Sequence, residues 1–528
     1  MRRLLTWGLP AVLCAALLAP ASASAFDAGK ELLNFSKTTE RERYVTLTPD
    51  FLSLLLSQTA TAPLETLNQL ATDPERMPAN VCGIRGFECA GDVRFYDWGK
   101  RTGNIQQPVL FTARDGATLS GTVWATKDGP ATRPGIVITT GSVQAPEELY
   151  WGQAATLAKH GYVVLTYDVQ GQGRSDLLGE GADALEGVPS QAGEPFYDGT
   201  EDALDFLTST PAHPYEPRPS CSTGTSHAAK QDRRVGAGLD AGYNPAWNLL
   251  DPSRIGIAGH SLGAAAVSYV GQEDPRVDGV VAWDNLGSSG GKATADFMGS
   301  AITCASAPAT RAPVDVAKPA MGISNDYGIV PTPFTSDPDP QEKAAAFSSY
   351  RSAGVDSAEM VIRGGCHEES AFIPGIVTGP YPLGCGSLRG SDLIAWYTTA
   401  WFDKYVKGDP GADTRLLSDR WRNDAPEAAI DPSGDGNAFS FYYRSRYDVG
   451  LAGGGRAVCD DLRAGCPSMA PDGLPPSYDF VGDAYGPVPA PPGGSVPAAV
   501  AARKAKSKCR HARGKKRKRC LKRARRGK

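Results

Sequence analysis

Residues 254–266 have the sequence RIGIAGHSLGAAA, which is the most informative stretch of the chain. Its first five residues have the pattern of a strand buried on both faces, and its last three alanines begin a helix. Between them, a Gly-x-Ser-x-Gly pattern places Ser261 in a sharp strand-to-helix turn. Gly259 and Gly263 permit the close backbone contacts that such a strained turn requires. The stretch therefore predicts a strand, an exposed serine and a helix in immediate succession.

A second Gly-x-Ser-x-Gly match occurs at residues 287–291, but its surroundings differ. Its serine, Ser289, lies several residues beyond the nearest apolar run, at residues 279–283, and continues into Gly-Gly-Lys. That context favours a loop rather than a strand-to-helix turn. Ser261 is therefore the candidate nucleophile.

Apolar runs flank the central stretch on both sides and alternate with helix-like segments. They occupy residues 135–139, 162–167, 279–283, 320–323 and 359–362. Upstream, Asp115 and Gly116 separate two strand-like runs, which is a hairpin signal. Downstream, residues 392–407 have the apolar spacing of a final covering helix. This alternation predicts an α/β fold with a doubly wound, mostly parallel sheet.

A serine hydroxyl becomes an effective nucleophile when a neighbouring base takes its proton, so a histidine is expected nearby. The chain has six histidines. His367 follows the last predicted strand and so belongs at the carboxyl end of the sheet, where catalytic groups collect in open α/β sheets. His260 adjoins the serine and is expected to point away from its hydroxyl. His367 is therefore the candidate base.

The base needs a carboxylate that fixes its tautomer, and the oxyanion needs two backbone donors. Asp326 follows its predicted strand by a short loop and gives the order Ser, Asp, His, so it is preferred over the alternative, Asp284. Asp284 ends the preceding predicted strand. The expected oxyanion donors are the backbone amides of Leu262 and Ser142.

Three further stretches extend the pattern beyond the Gly-His-Ser-Leu-Gly turn. Residues 168–175 read DVQGQGRS, residues 251–255 read DPSRI, and residues 395–409 form the amphipathic closing segment. With these motifs, residues 108–410 resemble the α/β-hydrolase superfamily, near its secreted bacterial lipase, esterase and dienelactone-hydrolase-like branches. The closing segment is similar to that of bacterial polyester-hydrolysing and cutinase-like relatives.

The resemblance implies a serine hydrolase that cleaves carboxylic esters through an acyl-enzyme, with Ser261, His367 and Asp326 as its triad and with neither a cofactor nor a metal. The same triad also serves acyltransferases and peptidases. The alternative from another functional class is a non-catalytic protein that has a hydrolase scaffold and binds the cell envelope. Residues 208–250, rich in Pro, Gly and Ser, form an insertion before the nucleophile strand and are interpreted as a lid or a plain surface loop.

The first 25 residues have the features of a signal peptide: two arginines, an apolar run and small residues at the expected cleavage site. Their removal leaves ten of the eleven cysteines, an even number that suits disulfides in an oxidising compartment. No cysteine and histidine cluster has the spacing of zinc ligands. The most economical pairing joins Cys82 with Cys89, Cys366 with Cys385, Cys459 with Cys466, Cys509 with Cys520, and Cys221 with Cys304. The sequence thus predicts a secreted protein without a transmembrane segment.

Composition divides the rest of the chain into an N-terminal extension (residues 26–107), a C-terminal extension (411–470), a Pro/Gly/Ala-rich linker (471–502) and a basic tail (503–528). The tail carries 16 lysines and arginines and no acidic residue, whereas the remainder has 38 basic and 58 acidic residues. Such a tail suits anionic polymers of the cell envelope. Nucleic acid is not expected as a partner of an exported protein.

Overall fold

A computed structural model describes residues 49–80, 91–142, 145–187, 193–287, 314–327, 338–371, 388–420, 439–471 and 480–481. The chain divides into two units, Met1–Ala484 and Tyr485–Lys528, and all described residues belong to the first. The predicted signal peptide and basic tail, and nearly all of the predicted linker, lie outside the described residues.

The described residues form an α/β fold around a ten-stranded mixed sheet of order β1-β2-β4-β3-β5-β6-β7-β8-β10-β11. Its strands are β1 (Asn104–Thr112), β2 (Thr118–Thr126), β3 (Arg133–Thr139), β4 (Val163–Tyr167), β5 (Leu250–His260), β6 (Val277–Trp283), β7 (Ala320–Tyr327), β8 (Ser357–Cys366), β10 (Arg446–Gly450) and β11 (Arg456–Cys459). A separate parallel pair joins β9 (Ser418–Asp419) to β12 (Ala470–Pro471). The six strands from β4 to β8 in the sheet order are parallel, while β2 and β10 run antiparallel to their neighbours. The predicted α/β class and mostly parallel sheet are confirmed.

The parallel strands are the apolar runs of the sequence, and their residues are buried on both faces because helices cover the sheet. The α-helices of the described residues are α1 (Pro49–Thr72), α2 (Trp151–Lys159), α3 (Glu194–Thr208), α4 (Ala228–Gly236), α5 (Leu262–Glu273), α6 (Ala345–Ser352), α7 (Leu388–Tyr405) and α8 (Ala412–Leu416). Neighbouring residues of a strand point to opposite faces. A Cβ on Gly256 would meet Phe402 of α7, whereas the next residue, Ile257, reaches Gly271 of α5. Helices α7 and α5 therefore cover opposite faces of the sheet.

The predicted C-terminal extension adds strands to the main sheet. β10 pairs with β8, and β11 pairs with β10 and is joined to the following turn by the predicted disulfide Cys459–Cys466. Residues 439–443, with the sequence FSFYY, form one bridge at Phe439 followed by bends. The bends arise because the Ser440 hydroxyl accepts the backbone N–H groups of both Tyr442 and Tyr443.

The predicted insertion, residues 208–250, is anchored at the β1 edge of the sheet. Tyr215 is buried against Phe111 and Phe206 and donates a 2.7 Å hydrogen bond to the carbonyl of Thr112. Gln231 of α4 accepts the N–H of Thr112, also in β1. These contacts fix part of the segment, and its interpretation as a lid stays a prediction.

Two further cysteines, Cys221 and Cys366, are disulfide-bonded. The partners that the sequence predicts for them, Cys304 and Cys385, lie outside the described residues, as do the two remaining predicted pairs. In the described part of the chain, no helix combines the length and the apolar character needed to cross a membrane.

Candidate active site

Ser261 lies between the last residue of β5 and the first residue of α5 and has a left-handed backbone, with φ of 57°. Non-glycine residues adopt this conformation rarely, so the surrounding structure must hold it. A Cβ on Gly259 would lie 2.3 Å from the carbonyl oxygen of Gly263, and one on Gly263 would lie 2.4 Å from that of Thr140. Gly259 therefore lets the turn close on itself, and Gly263 lets it pack against the end of β3, as the sequence pattern predicts.

His367 follows β8 directly and begins a short 3-10 helix, His367–Ser370. Its Nε2 lies 2.9 Å from Oγ of Ser261. The structure thus brings the predicted nucleophile and the predicted base into hydrogen-bond contact, although 106 positions separate them. The contact forms because β5 and β8 are parallel strands that end at the same edge of the sheet.

The carboxylate beside His367 belongs to Asp284, the first residue after β6. Its Oδ2 lies 2.6 Å from Nδ1 of His367. A carboxylate only accepts hydrogen bonds, so Nδ1 carries the proton and Nε2 is free to accept the hydroxyl proton of Ser261. Asp284 also has a positive φ, 47°, and its N–H donates to the carbonyl of Ile323 in β7.

Asp326, the carboxylate preferred from the sequence, occupies a different environment and does not supply the contact to His367. It accepts hydrogen bonds from Nη1 of Arg363 at 2.6 Å, from the N–H of Gly364 at 2.8 Å and from the hydroxyl of Ser440. The sequence-based order of preference is corrected for a simple reason: β7 continues to Tyr327, so Asp326 is a strand residue rather than a loop residue. Asp284, the alternative, is the one that lies beyond the end of its strand.

The electrostatics of the pair favour an ionised Asp284 and a basic His367. Burial raises the pKa of Asp284, but the hydrogen bond from His367 and the charge of Lys343 outweigh this effect and hold the pKa below its usual value. Burial lowers the pKa of His367, and the hydrogen bond and charge of Asp284 outweigh it, so the pKa is raised above 6.5. Glu368, the next residue, has a raised pKa because it is largely buried.

The two predicted oxyanion donors lie at the start of α5 and after the end of β3. Leu262 is the first residue of α5, so its N–H has no acceptor within the helix. Ser142 is half-buried and follows Gly141, where a Cβ would lie only 2.7 Å from Nδ1 of His260. The 141–142 segment therefore packs against the residue that precedes Ser261. Their role as donors to an oxyanion stays a prediction.

A scan against models of protein families finds no match for this chain, and a search of the curated proteins finds none either. The chemistry of the site is therefore argued from its own geometry. A half-buried serine hydroxyl, an imidazole and a carboxylate in a continuous hydrogen-bonded line can transfer a proton from serine to histidine and stabilise the resulting imidazolium.

Within the described residues, one group of three side chains offers metal-ligand atoms within 4.8 Å of one another: Glu186, Asp198 and Cys221. Cys221 is disulfide-bonded, so its sulfur is not a thiolate ligand. No metal is assigned to this group. The expectation that the protein needs no metal or cofactor stays a prediction.

Three residues around the site carry no sequence signal that marks them in advance. They are Tyr150, His260 and Gln172. His260 forms hydrogen bonds with Tyr150, 110 positions away, and with His367, 107 positions away. Gln172 forms one with Gly141, 31 positions away. His260 ends β5, Gln172 lies in the loop after β4, and Tyr150 directly precedes α2. Nothing in these local patterns shows which partners they reach.

Proposed function

We propose that this chain is a secreted serine hydrolase of the α/β-hydrolase superfamily that cleaves carboxylic esters through an acyl-enzyme. The observation that carries the proposal is the line from Ser261 Oγ to His367 Nε2, 2.9 Å, and from His367 Nδ1 to Asp284 Oδ2, 2.6 Å. This line stands at a strand-to-helix turn of the kind that exposes a nucleophilic serine. Secretion is supported by the predicted signal peptide and by the disulfide Cys459–Cys466.

In the first half of the proposed reaction, Ser261 Oγ attacks the ester carbonyl carbon while His367 Nε2 takes the hydroxyl proton. Asp284 stabilises the imidazolium that forms and keeps Nδ1 protonated. The carbonyl oxygen becomes an oxyanion, for which the N–H groups of Leu262 and Ser142 are the expected donors. Collapse of the tetrahedral intermediate breaks the bond to the alkoxy group, which leaves as an alcohol with the proton from His367.

In the second half, a water molecule attacks the acyl-enzyme and gives its proton to His367. The second tetrahedral intermediate collapses, Ser261 Oγ leaves and recovers a proton from His367, and the carboxylic acid is released. Each proton taken by His367 is returned within the same half-reaction, so the cycle needs no further reactant. An alcohol or amine that replaces water in this step would give acyl transfer by the same groups.

The test is hydrolysis of a chain-length series of p-nitrophenyl esters by the mature protein and by Ser261→Ala. We expect the variant to lose about 10⁶-fold in kcat, because the nucleophile is removed. The preferred chain length would separate esterase from lipase. Equal turnover by both proteins would contradict the nucleophile, and no turnover by either would favour a peptidase, an acyltransferase or a binding protein.

The same assay distinguishes the two carboxylates. Asp284→Asn is expected to lower kcat by about 10⁴-fold, because the amide no longer fixes the required tautomer of His367. The matched variant Asp326→Asn changes a carboxylate of the same size that pairs with Arg363 instead of His367, and turnover per folded molecule is expected to stay within a few-fold. A greater loss in Asp326→Asn than in Asp284→Asn would reverse the assignment.

A further inference from the structure

The residue before Ser261, His260, uses both of its ring nitrogens in a buried hydrogen-bond network. Its Nε2 lies 2.7 Å from the backbone carbonyl oxygen of His367, and its Nδ1 lies 2.8 Å from the hydroxyl of Tyr150. His260 is 3 % exposed and Tyr150 is fully buried. The network therefore connects the base to the element after β3, where Tyr150 ends the 3-10 helix Glu147–Tyr150.

The direction of each hydrogen bond follows from its acceptor. A carbonyl only accepts, so Nε2 of His260 carries the proton and Nδ1 is the acceptor of the Tyr150 hydroxyl. The oxygen of that hydroxyl accepts the N–H of Gly141 at 3.0 Å. Each donor thus has one acceptor, and the line runs in one direction from Gly141 through Tyr150 and His260 to His367.

Gly141 is held from its other side as well. Nε2 of Gln172, in the loop after β4, donates a 2.8 Å hydrogen bond to the carbonyl oxygen of Gly141. In a trans peptide the carbonyl and the next N–H point in opposite directions. The contact with Gln172 therefore fixes the direction of the N–H of Ser142, which is the expected oxyanion donor.

The electrostatics are consistent with a neutral His260. Burial and the neighbouring charge of His367 lower the pKa of His260 to about 3, against an opposing contribution from Asp284. Burial also raises the pKa of Tyr150, so its proton is retained. A second proton on His260 would put an N–H opposite the Tyr150 hydroxyl, whose own proton would then lose its acceptor.

We propose that Tyr150, His260 and Gln172 are positioning residues that hold the backbone of the base His367 and the amide of Ser142 in a fixed relation to each other. The inference rests on the proposed function, because it assigns these residues to the acylation step. None of them touches the reacting atoms in the structure. Their effect should appear in kcat and in binding of a tetrahedral adduct rather than in KM.

The first experiment compares Tyr150→Phe with the matched control Tyr215→Phe. Both variants remove one buried tyrosine hydroxyl, but the Tyr215 hydroxyl donates to Thr112 in β1, four strands away from β5. For Tyr150→Phe we expect kcat for a p-nitrophenyl ester to fall about 10-fold, with KM within twofold of the wild type. Affinity for an alkylboronic acid, which forms a tetrahedral adduct on serine, should fall by a similar factor. Tyr215→Phe should change neither quantity.

The second experiment divides the two halves of the network at His260. In His260→Asn, Oδ1 replaces the acceptor at Nδ1, while the donor to His367 is lost. In His260→Gln, the amide nitrogen replaces the donor at Nε2, while the acceptor for Tyr150 is lost. We expect the double variant His260→Gln/Tyr150→Phe to lose less kcat than the sum of the two single losses. The reason is that the missing Tyr150 hydroxyl no longer needs an acceptor. Additive losses in this double variant would contradict a shared network.

A third measurement does not depend on turnover. The ¹⁵N NMR chemical shifts of the ring nitrogens should show that His260 is neutral, with its proton on Nε2, from pH 5 to pH 8. Titration of His260 in this range would overturn the inference. So would Tyr150→Phe with wild-type kinetics and the same loss of melting temperature as Tyr215→Phe. If wild-type protein neither hydrolyses esters nor reacts with a fluorophosphonate while the NMR result holds, the proposed function fails and the network is purely structural.

Discussion

His367 contacts Ser261 with one ring nitrogen and Asp284 with the other, and the charges around it decide when it can accept a proton. Its pKa is raised above 6.5 because Asp284 outweighs the effect of burial, while Lys343 works in the opposite direction. The base must be neutral to take the proton of Ser261. The rate should therefore fall on the acid side of the profile, as pH drops through the raised pKa.

Lys343→Met tests this electrostatic balance. Removal of the ammonium takes away a charge that lowers the pKa of His367, so the acid limb of kcat/KM should move to higher pH. Lys404→Met is the matched control, because the Lys404 ammonium pairs with Asp413 of α8. The measurement is the pH profile of kcat/KM for one p-nitrophenyl ester. A shift to lower pH, or the same shift in both variants, would contradict the assigned arrangement of charges.

The sequence analysis preferred the wrong carboxylate as the hydrogen-bond partner of His367, Asp326 instead of Asp284. Asp284 and Asp326 both follow apolar runs, and the sequence shows a strand end only where apolar residues stop. β7 continues through the polar residues Ser324 and Asp326 because their partners, Glu359 and Arg363, come from β8. A strand can bury polar side chains when neighbouring strands satisfy them, and those partners are distant in sequence. The positions of Ser261 and His367 were predictable because the Gly-x-Ser-x-Gly turn marks the serine, and the histidine follows the last predicted strand.

At the scale of elements, Asp326 and Arg363 form a buried ion pair that joins β7 to β8 and to the segment before β10. Their charged groups are 0 % and 2 % exposed, and Asp326 also accepts the hydroxyl of Ser440. The guanidinium of Arg363 lies over the ring of Tyr442 at 5.4 Å. The pair thus attaches the C-terminal extension to the sheet, which explains why a buried aspartate occupies this position.

Arg363→Met should destabilise the fold, because it leaves the Asp326 carboxylate buried without its main partner. The expected loss in the free energy of unfolding is about 3 kcal/mol, measured by chemical denaturation. Asp326→Asn introduced into the same variant should restore part of the loss, since no uncompensated charge then remains. A double variant that is less stable than Arg363→Met would show that the ion pair does not set this stability.

The element order of the sheet follows from the sequence to a large extent. The hairpin at Asp115 and Gly116, the parallel strands and the closing helix were all predictable, because each has a distinct polarity pattern or clear turn signals. The pairing of β10 with β8 was not predictable from the sequence. It depends on contacts between residues far apart in the chain, such as the hydrogen bond from the Val361 N–H to the Ser445 hydroxyl. Short strands of mixed polarity have no distinct pattern of their own.

At the scale of the whole molecule, charge separates the basic tail from the rest of the chain. Residues 503–528 carry 16 basic residues and no acidic ones, whereas the remainder has an excess of acidic residues. Deletion of the tail should weaken retention on an anionic cell-envelope polymer, and the loss should be largest at low ionic strength. Turnover of soluble esters should be unchanged.

The control for this deletion is a full-length variant in which the lysines and arginines of the tail are replaced by glutamine. It keeps the length and removes the charge, so it should release from the polymer as the deletion does. The measurement is the salt concentration that elutes each protein from immobilised polymer. Equal elution of wild type, deletion and glutamine variant would exclude the tail as the attachment segment.

The placement of β10 and β11 after the three candidate site residues in the chain has a consequence for synthesis. Ser261, Asp284 and His367 have all been made before the ribosome reaches Arg446, so the candidate chemistry is encoded ahead of the strand that covers the open edge of β8. An uncovered strand edge offers free N–H and C=O groups to any other extended chain. A nascent chain that ends before residue 446 therefore carries the three candidate site residues together with a β8 edge that is open to aggregation. The β8 edge is covered once the C-terminal extension has been translated and β10 has paired with it.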